Sequence, residues 1–237
     1  MAGSLEGRIA LITGASRGIG QEIAKRYAAE GAHLILISRD VKGLEETDDL
    51  VRAEGGNATL IPFDLSEFDK IPELAKMIAE RFTKIDILVG NAGMLGDMAP
   101  VADQNPENWH KVFDVNVHAN FHLIRCFDPL LKASEAPRAM FVTSGITENI
   151  NPYWGAYATS KYALDYMIKL YAAENEKTSL KVNLISPGQV RTRMHAQAFP
   201  GVDPETITPT EALNDVFVKL AKPDLQETGK VFHAQKG

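Results

Sequence analysis

The sequence predicts a doubly wound α/β domain: a seven-stranded parallel sheet flanked by helices on both faces. Three observations carry this. Seven short apolar runs alternate with longer helical patterns, a glycine-rich turn joins the first run to the first helical stretch, and polar residues stand at the ends of the runs rather than inside them.

The elements follow in order. RIALIT at 8–13 reads as the first strand, and a helix over 19–30 follows, with Ile19, Ile23 and Tyr27 at i, i+4 and i+8. HLILIS (33–38) precedes a helix over 42–54. ATLIPF (58–63) precedes one over 70–83, where Leu74, Ile78 and Phe82 repeat the same spacing. IDILVG (85–90) leads into a helical pattern over 106–133, and AMFVTS (139–144) into one over 157–176. KVNLIS (181–186) leads into a helix over 209–221, and KVFHA is the last strand. No linker, low-complexity tract or repeat of fixed period divides the chain, so one domain over 1–237 is expected. The helix over 157–176 carries Leu164, Met167, Ile168 and Tyr171 on one side and Tyr162 and Tyr166 on another. Either a second subunit covers the excess or the tyrosines sit half exposed with wet hydroxyls.

Composition narrows the function classes. With 45% hydrophobic and 24% charged residues the chain is an ordinary globular one rather than a disordered or fibrous one. A net charge of −6 with scattered Lys and Arg provides no footprint for nucleic acid. Cys126 is the sole cysteine, which rules out an internal disulfide and reads as a passive buried thiol in a reducing cytoplasm. No stretch approaches the ~20 apolar residues of a membrane span. The opening MAGSLEGRIALITG lacks a signal-peptide pattern, and no metal site is expected.

The glycine turn, TGASRGIG at 13–20, has the spacing GxxxGxG. Between a buried strand and an amphipathic helix, Gly14, Gly18 and Gly20 let backbone N–H groups approach a diphosphate, with Ser16, Arg17 and Ile19 between them. A tight turn needing glycine only for its dihedrals is the alternative. The second strand ends in Ser38 and Arg39, where an acidic residue would bind a ribose 2′-hydroxyl and an arginine a 2′-phosphate. Arg39 and Arg17 together favour NADP over NAD. A strand shifted by two residues would present Asp40 instead.

Tyr157 is the one tyrosine with a lysine four residues downstream, so a helix places the phenol and the Lys161 ammonium on one face. A phenol has a pKa of about 10, and a nearby cation favours the phenolate, making Tyr157 a candidate for proton exchange with a carbonyl oxygen. Ser144 ends the fifth strand, where open α/β sheets place ligands, and its hydroxyl could donate to the same oxygen. Asn91, Ala92 and Gly93 end the fourth strand. Asn116 is a polar residue inside an apolar helical pattern, which by itself also fits a satisfied buried amide.

TGASRGIG, Asp64, NAG, Asn116, Ser144, Tyr157 with Lys161, and PGQVRT at 187–192 resemble the classical short-chain dehydrogenase/reductase family over essentially the whole chain. NAGMLGD, WGAYATSK and AFPGVDPETITP are similar, more narrowly, to a bacterial subgroup of predicted short-chain oxidoreductases. The resemblance implies a Rossmann fold and an NADP(H)-dependent oxidoreductase, acting as a homodimer or homotetramer on a small carbonyl or alcohol. It implies Tyr157 as acid/base, Lys161 holding the nicotinamide ribose and lowering the Tyr157 pKa, Ser144 orienting the substrate and Asn116 holding a water. It places Asp64 and Leu65 beside the adenine, Asn91 to Gly93 on the adenosine ribose side, and Pro187, Gly188, Val190 and Thr192 along the nicotinamide. Thr143 stands where many members have a first serine. The substrate loop, about 189–207, is short, which argues against bulky steroid-like substrates. Candidates for substrate contact are Met94, Leu95, Ile146, Asn149, Tyr153 and Trp154, and in the loop Arg193, His195 and Phe199; Arg193 and His195 fit recognition of an anionic group or plain surface positions, and Trp154 fits packing better than recognition. A non-catalytic NADP-binding regulator or scaffold is the alternative; an epimerase or dehydratase would be expected to have a longer C-terminal region.

Overall fold

The computed structural model describes residues 3–235; residues 1, 2, 236 and 237 of the expected domain lie outside the described residues. Seven parallel strands are ordered β3-β2-β1-β4-β5-β6-β7. They are β1 (Ile9–Thr13), β2 (His33–Ser38), β3 (Asn57–Pro62), β4 (Ile87–Gly90), β5 (Arg138–Val142), β6 (Lys181–Ser186) and β7 (Val231–His233). Strand order reverses between β1 and β4, the point at which such sheets open a crevice at their carboxyl ends.

The helices follow from period and caps. They are α1 (Gly18–Ala29), α2 (Val41–Ala53), α3 (Ile71–Arg81), α4 (Pro106–Phe113), α5 (Ala119–Lys132), α6 (Gly155–Glu174), α7 (Arg193–Ala198) and α8 (Asn214–Ala221). Asp40 starts α2 by accepting from the Gly43 N–H at 3.1 Å, and Asn105 starts α4 by accepting from Asn108 N–H at 3.0 Å. Alternating strand residues bury opposite faces. On one face Ile12, Leu34 and Val89 pack under Ile23 and Tyr27 of α1 and Phe217 of α8; on the other, Leu11, Ile35 and Leu88 pack with Leu74, Phe127 and Ile168.

Several boundaries differ from the expectation, among them the helix over 209–221, which is a 3₁₀ turn at Thr210–Leu213 followed by α8. The helical pattern over 106–133 is α4 and α5 joined by a π turn at Asp114–His118, an insertion that periodicity alone does not register. β5 stops at Val142, so Thr143 and Ser144 lie beyond the strand, and α6 starts at Gly155, two residues early. The segment 189–207 is built rather than loose: it contains α7 and a 3₁₀ turn at Pro204–Thr206. A bridge between Val190 and Thr208 and an Arg191–Glu205 ion pair at 2.9 Å tie it down.

Candidate active site

The carboxyl ends of β1, β4, β5 and β6 meet at the crevice, and the predicted residues collect there. The glycine loop turns on Gly18 at φ +57°, and a Cβ there would meet the Thr192 methyl at 3.4 Å, so the loop after β6 reaches the loop after β1. A Cβ at Gly20 would run into the Gly14 carbonyl oxygen at 2.3 Å, which excludes any larger residue. No side chain caps the α1 N-terminus; its first N–H groups remain open toward the crevice. The Asn91 amide donates to the Thr13 and Gly14 carbonyls at 3.0 and 3.2 Å, and Thr13 Oγ1 accepts from the Asn91 and Ala92 N–H groups. Asn91 therefore ties two loops together, a role that its position after a strand did not disclose.

At the end of β2 the question of register is resolved by capping. Ser38 is the last strand residue and donates to Ser16 Oγ at 2.9 Å, while Asp40 is engaged at the α2 N-cap. The guanidinium groups of Arg39 and Arg17 are exposed, at 3.6 Å from Asp64 and 3.9 Å from Asp40 respectively. Leu65 is buried behind Asp64.

Tyr157 and Lys161 project from the first turns of α6 into the crevice, both largely buried. Lys161 Nζ donates to the Val142 carbonyl at 2.8 Å and lies 5.9 Å from the Tyr157 ring centre. Burial pulls the Lys161 ammonium down to about 8, with the Asp165 carboxylate acting the other way. Burial also raises the Tyr157 phenol above its ordinary value, opposed by the Ser144 hydroxyl beside it. Lys161 is not among the causes of that shift; its ammonium is directed at the Val142 carbonyl. The Asn116 side chain, in the π turn, accepts from Met94 N–H at 2.8 Å and donates to Met94 O at 3.0 Å and Ser160 Oγ at 2.9 Å. A Cβ on Gly93 would sit 3.5 Å from Asn116 Oδ1 and 3.7 Å from Lys161 Nζ, so both groups converge beside that glycine.

Over the mouth, an aromatic chain runs outward from the phenol. Trp154 lies 5.9 Å from Tyr157 and 5.7 Å from Phe199, which lies 5.0 Å from His195. Tyr153, exposed, holds φ +75°, the strained region for a residue with a side chain. Thr192 caps α7 by accepting from His195 N–H at 3.2 Å, and Val190 is buried. Gly188 packs against Gln235, whose amide donates to Pro187 O and Gln189 O. Sequence reasoning missed Gln235, Thr13 and Ser160; each is a common polar residue that only tertiary placement distinguishes. Arg193 is exposed, as is Asn149, while Met94 and Ile146 flank the crevice only partly buried. Among the described residues no cluster suits a metal ion.

A family model for short chain dehydrogenases matches residues 8–203. YciK of Escherichia coli K12, an uncharacterized oxidoreductase, is 37% identical over 98% of this chain and 94% of its own. A short chain dehydrogenase from Salmonella enterica serovar Typhi CT18 superposes with a TM-score of 0.94 at 36% identity, covering 100% of this chain and 99% of that one. Another, from Escherichia coli CFT073 and complexed with NADPH, has a TM-score of 0.94 at 36% identity over 100% of both chains. The matched residues run from the first strand through the glycine loop, Ser144, Tyr157 and Lys161 and into the loop after β6, and on these grounds the chain belongs to the short chain dehydrogenase family.

Proposed function

We propose that this chain is an NADP(H)-dependent oxidoreductase that moves hydride between the nicotinamide and a carbonyl or alcohol carbon, with Tyr157 as the acid/base. The observation that carries the reading is the convergence of Ser144, Tyr157, Lys161 and Asn116 at the carboxyl ends of β4 and β5.

The residues suit the cofactor. The open N–H groups of α1, with Gly14, Ser16, Gly18, Ile19 and Gly20, fit a diphosphate. Two exposed guanidinium groups, Arg17 and Arg39, with Ser38 beside them, fit a 2′-phosphate, while Asp40 is engaged through Oδ1 at the α2 N-cap. The NADPH complex of the E. coli CFT073 relative supports the same choice. Asp64 and Leu65 flank the adenine side, Asn91, Ala92 and Gly93 the ribose side, and Pro187, Gly188, Val190 and Thr192 the nicotinamide side. When bound, the nicotinamide supplies or accepts the hydride.

The chain's own residues manage the proton and the geometry. In the reducing direction the Tyr157 hydroxyl gives its proton to the substrate oxygen as the carbon receives hydride; oxidation reverses both transfers. The raised phenol pKa keeps Tyr157 protonated near neutrality, the form a donor requires. Ser144 donates to the same oxygen, Lys161 holds the nicotinamide ribose, and Asn116 anchors the adjoining β4 loop through both Met94 backbone groups. The built segment 189–207 is the substrate loop, and its aromatic contacts at Trp154 and Phe199 suit a small substrate.

Tyr162, Tyr166 and Leu170 form an exposed apolar stripe along α6, which suits pairing with a second copy of the chain. Half-buried Cys126, raised by burial, suits an inert thiol in a reducing cytoplasm. No described helix is long and apolar enough to cross a membrane.

The test is NADPH consumption by wild type and Tyr157→Phe across small ketones, aldehydes, quinones and keto acids, with NADPH binding measured for both. Wild-type turnover and a loss of about 10²–10⁴-fold in the variant, with NADPH affinity retained, is the expected result. Binding by both without turnover of any substrate would instead favour a regulator.

A further inference from the structure

Helix α6 places Tyr157, Lys161, Asp165 and Lys169 at successive four-residue steps, which puts their side chains along one stripe. The proposed chemistry uses the first two. Asp165 has no part in it, yet it is a carboxylate with 7% exposure, and carboxylates are not left buried without a partner.

Its surroundings are specific. Asp165 Oδ2 accepts from Thr147 Oγ1 at 3.0 Å, while Oδ1 has no hydrogen-bond partner among the described residues. Thr143, whose buried hydroxyl also lacks a partner by geometry, faces the same carboxyl. Thr143 directly follows Val142, the residue whose carbonyl receives the Lys161 ammonium at 2.8 Å. The end of β5 therefore brackets both charges.

Other charges stand near Asp165, and Lys169, one turn further along the helix, also favours its carboxylate. Lys169 on the same helix, Glu148 after the 3₁₀ turn Gly145–Thr147, and His233 of β7 line a cleft of about 220 Å³ with Asp165, Tyr162 and Tyr166. Glu148 and His233 lie 3.5 Å apart and face each other, and both are half exposed. Lys161, by contrast, is sealed inside with a single hydrogen bond. An ammonium in that setting sheds its proton unless an opposite charge is held nearby.

We infer that Asp165 is the buried counter-charge that keeps Lys161 an ammonium, and so a positioning residue for the Tyr157–Lys161 pair. Its carboxylate is held by the Thr147 hydroxyl, with the Thr143 hydroxyl facing it. The inference rests on the proposed function only for its purpose: a neutral Lys161 could neither hold a ribose by charge nor stabilise a phenolate during proton transfer. Burial works against both charges, lowering the Lys161 pKa and raising that of Asp165, and the attraction between the two groups opposes each shift, alongside the Thr143 and Thr147 hydroxyls and Lys169 in the case of Asp165.

The experiment is carbon-13 NMR titration of the cofactor-free protein, with the Lys161 Cε signal assigned by its loss in Lys161→Arg. In Asp165→Asn, which keeps size and removes charge, the Lys161 midpoint is expected to fall by about one unit or more. Asp165→Glu should restore most of it. NADPH affinity, followed by fluorescence between pH 6 and 9, should decline at lower pH in Asp165→Asn than in wild type. An unchanged Lys161 midpoint in folded Asp165→Asn would overturn the inference. A second measurement needs no variant: in wild type the Asp165 Cγ signal should show a step at the Lys161 midpoint, because coupled groups report each other's titration. Absence of that step would also overturn it. Neither titration depends on turnover, so a coupled pair in a protein that reduces nothing would sustain the inference while removing the proposed function.

Discussion

The two ends of the sheet treat buried charge in opposite ways. At the amino ends of the strands, Arg138 makes five hydrogen bonds, to the carbonyls of Pro137, Ser179, Lys222, Pro223 and Leu225. Nearby Asp86 accepts from Ile9 N–H, Lys84 Nζ and Ser134 Oγ, and Arg8 donates to the carbonyls of Asp86 and Ala136, leaving its Nε without a partner. At the carboxyl ends, Lys161 has one acceptor, and Thr143 Oγ1, Asp165 Oδ1 and His195 Nε2 have none. Saturated groups hold a structure; undersaturated ones are available to a ligand or a proton. One sheet thus separates stability from chemistry by which end of its strands a residue occupies.

Breaking the saturated end should give the largest effect. Arg138→Met leaves five carbonyls without their donor, and urea unfolding should show a loss of about 3–5 kcal/mol, a few unsatisfied acceptors at about 1–3 kcal/mol each. NADPH affinity per folded molecule should not change, because the site lies at the other end of the strands. A variant of wild-type stability would show that the arginine network is dispensable. At the open end the sign of the contrast reverses. Arg39 is 71% exposed with one long-range pair to Asp64, so Arg39→Asp should leave stability within about 0.5 kcal/mol. Isothermal titration should show NADPH binding weakened about 10–100-fold while NADH binding is nearly unchanged. Equal losses for both would sink the 2′-phosphate assignment.

The legibility of the two ends in the sequence differed as well. Strands were readable because runs such as HLILIS and KVNLIS are apolar on both faces, and helices because Ile23, Tyr27, Leu74 and Ile78 repeat at helical spacing. The glycine loop and the Tyr157–Lys161 spacing were readable because backbone approach and helical geometry are local properties. The arginine network was not: Arg8, Asp86 and Arg138 are distant in sequence and each looks like a surface charge. The π turn carrying Asn116 was hidden because one inserted residue shifts a helical period only slightly. Asp165 was passed over for a related reason, since an acidic residue between two tyrosines on a helix normally marks the wet face.

The same comparison makes a prediction about pH: stability rises with pH at both ends, but at the saturated end the charged form stabilises the fold and at the open end the charged form costs stability. Burial opposes the Asp86 carboxylate, but Ser134, Ile9 and Lys84 hold it below the ordinary carboxylate value. A depressed acid contributes stability above its unfolded pKa of about 3.9, and that contribution disappears as pH falls through the folded value. Wild type should therefore lose stability relative to Asp86→Asn below about pH 4. Lys161 gives a slope of the same sign in a higher window, because there it is the charge that is costly. Its folded value of about 8 lies beneath the unfolded ~10.4, so between these the unfolded chain binds more protons and folding strengthens as pH rises. Urea unfolding of cofactor-free wild type and Lys161→Met at pH 7, 8, 9 and 10 should show the difference moving steadily in favour of wild type. Groups common to both proteins cancel in that difference. A flat difference across the window would mean that Lys161 is not desolvated in the folded chain, and with it the distinction between a saturated and an undersaturated end would lose its clearest member.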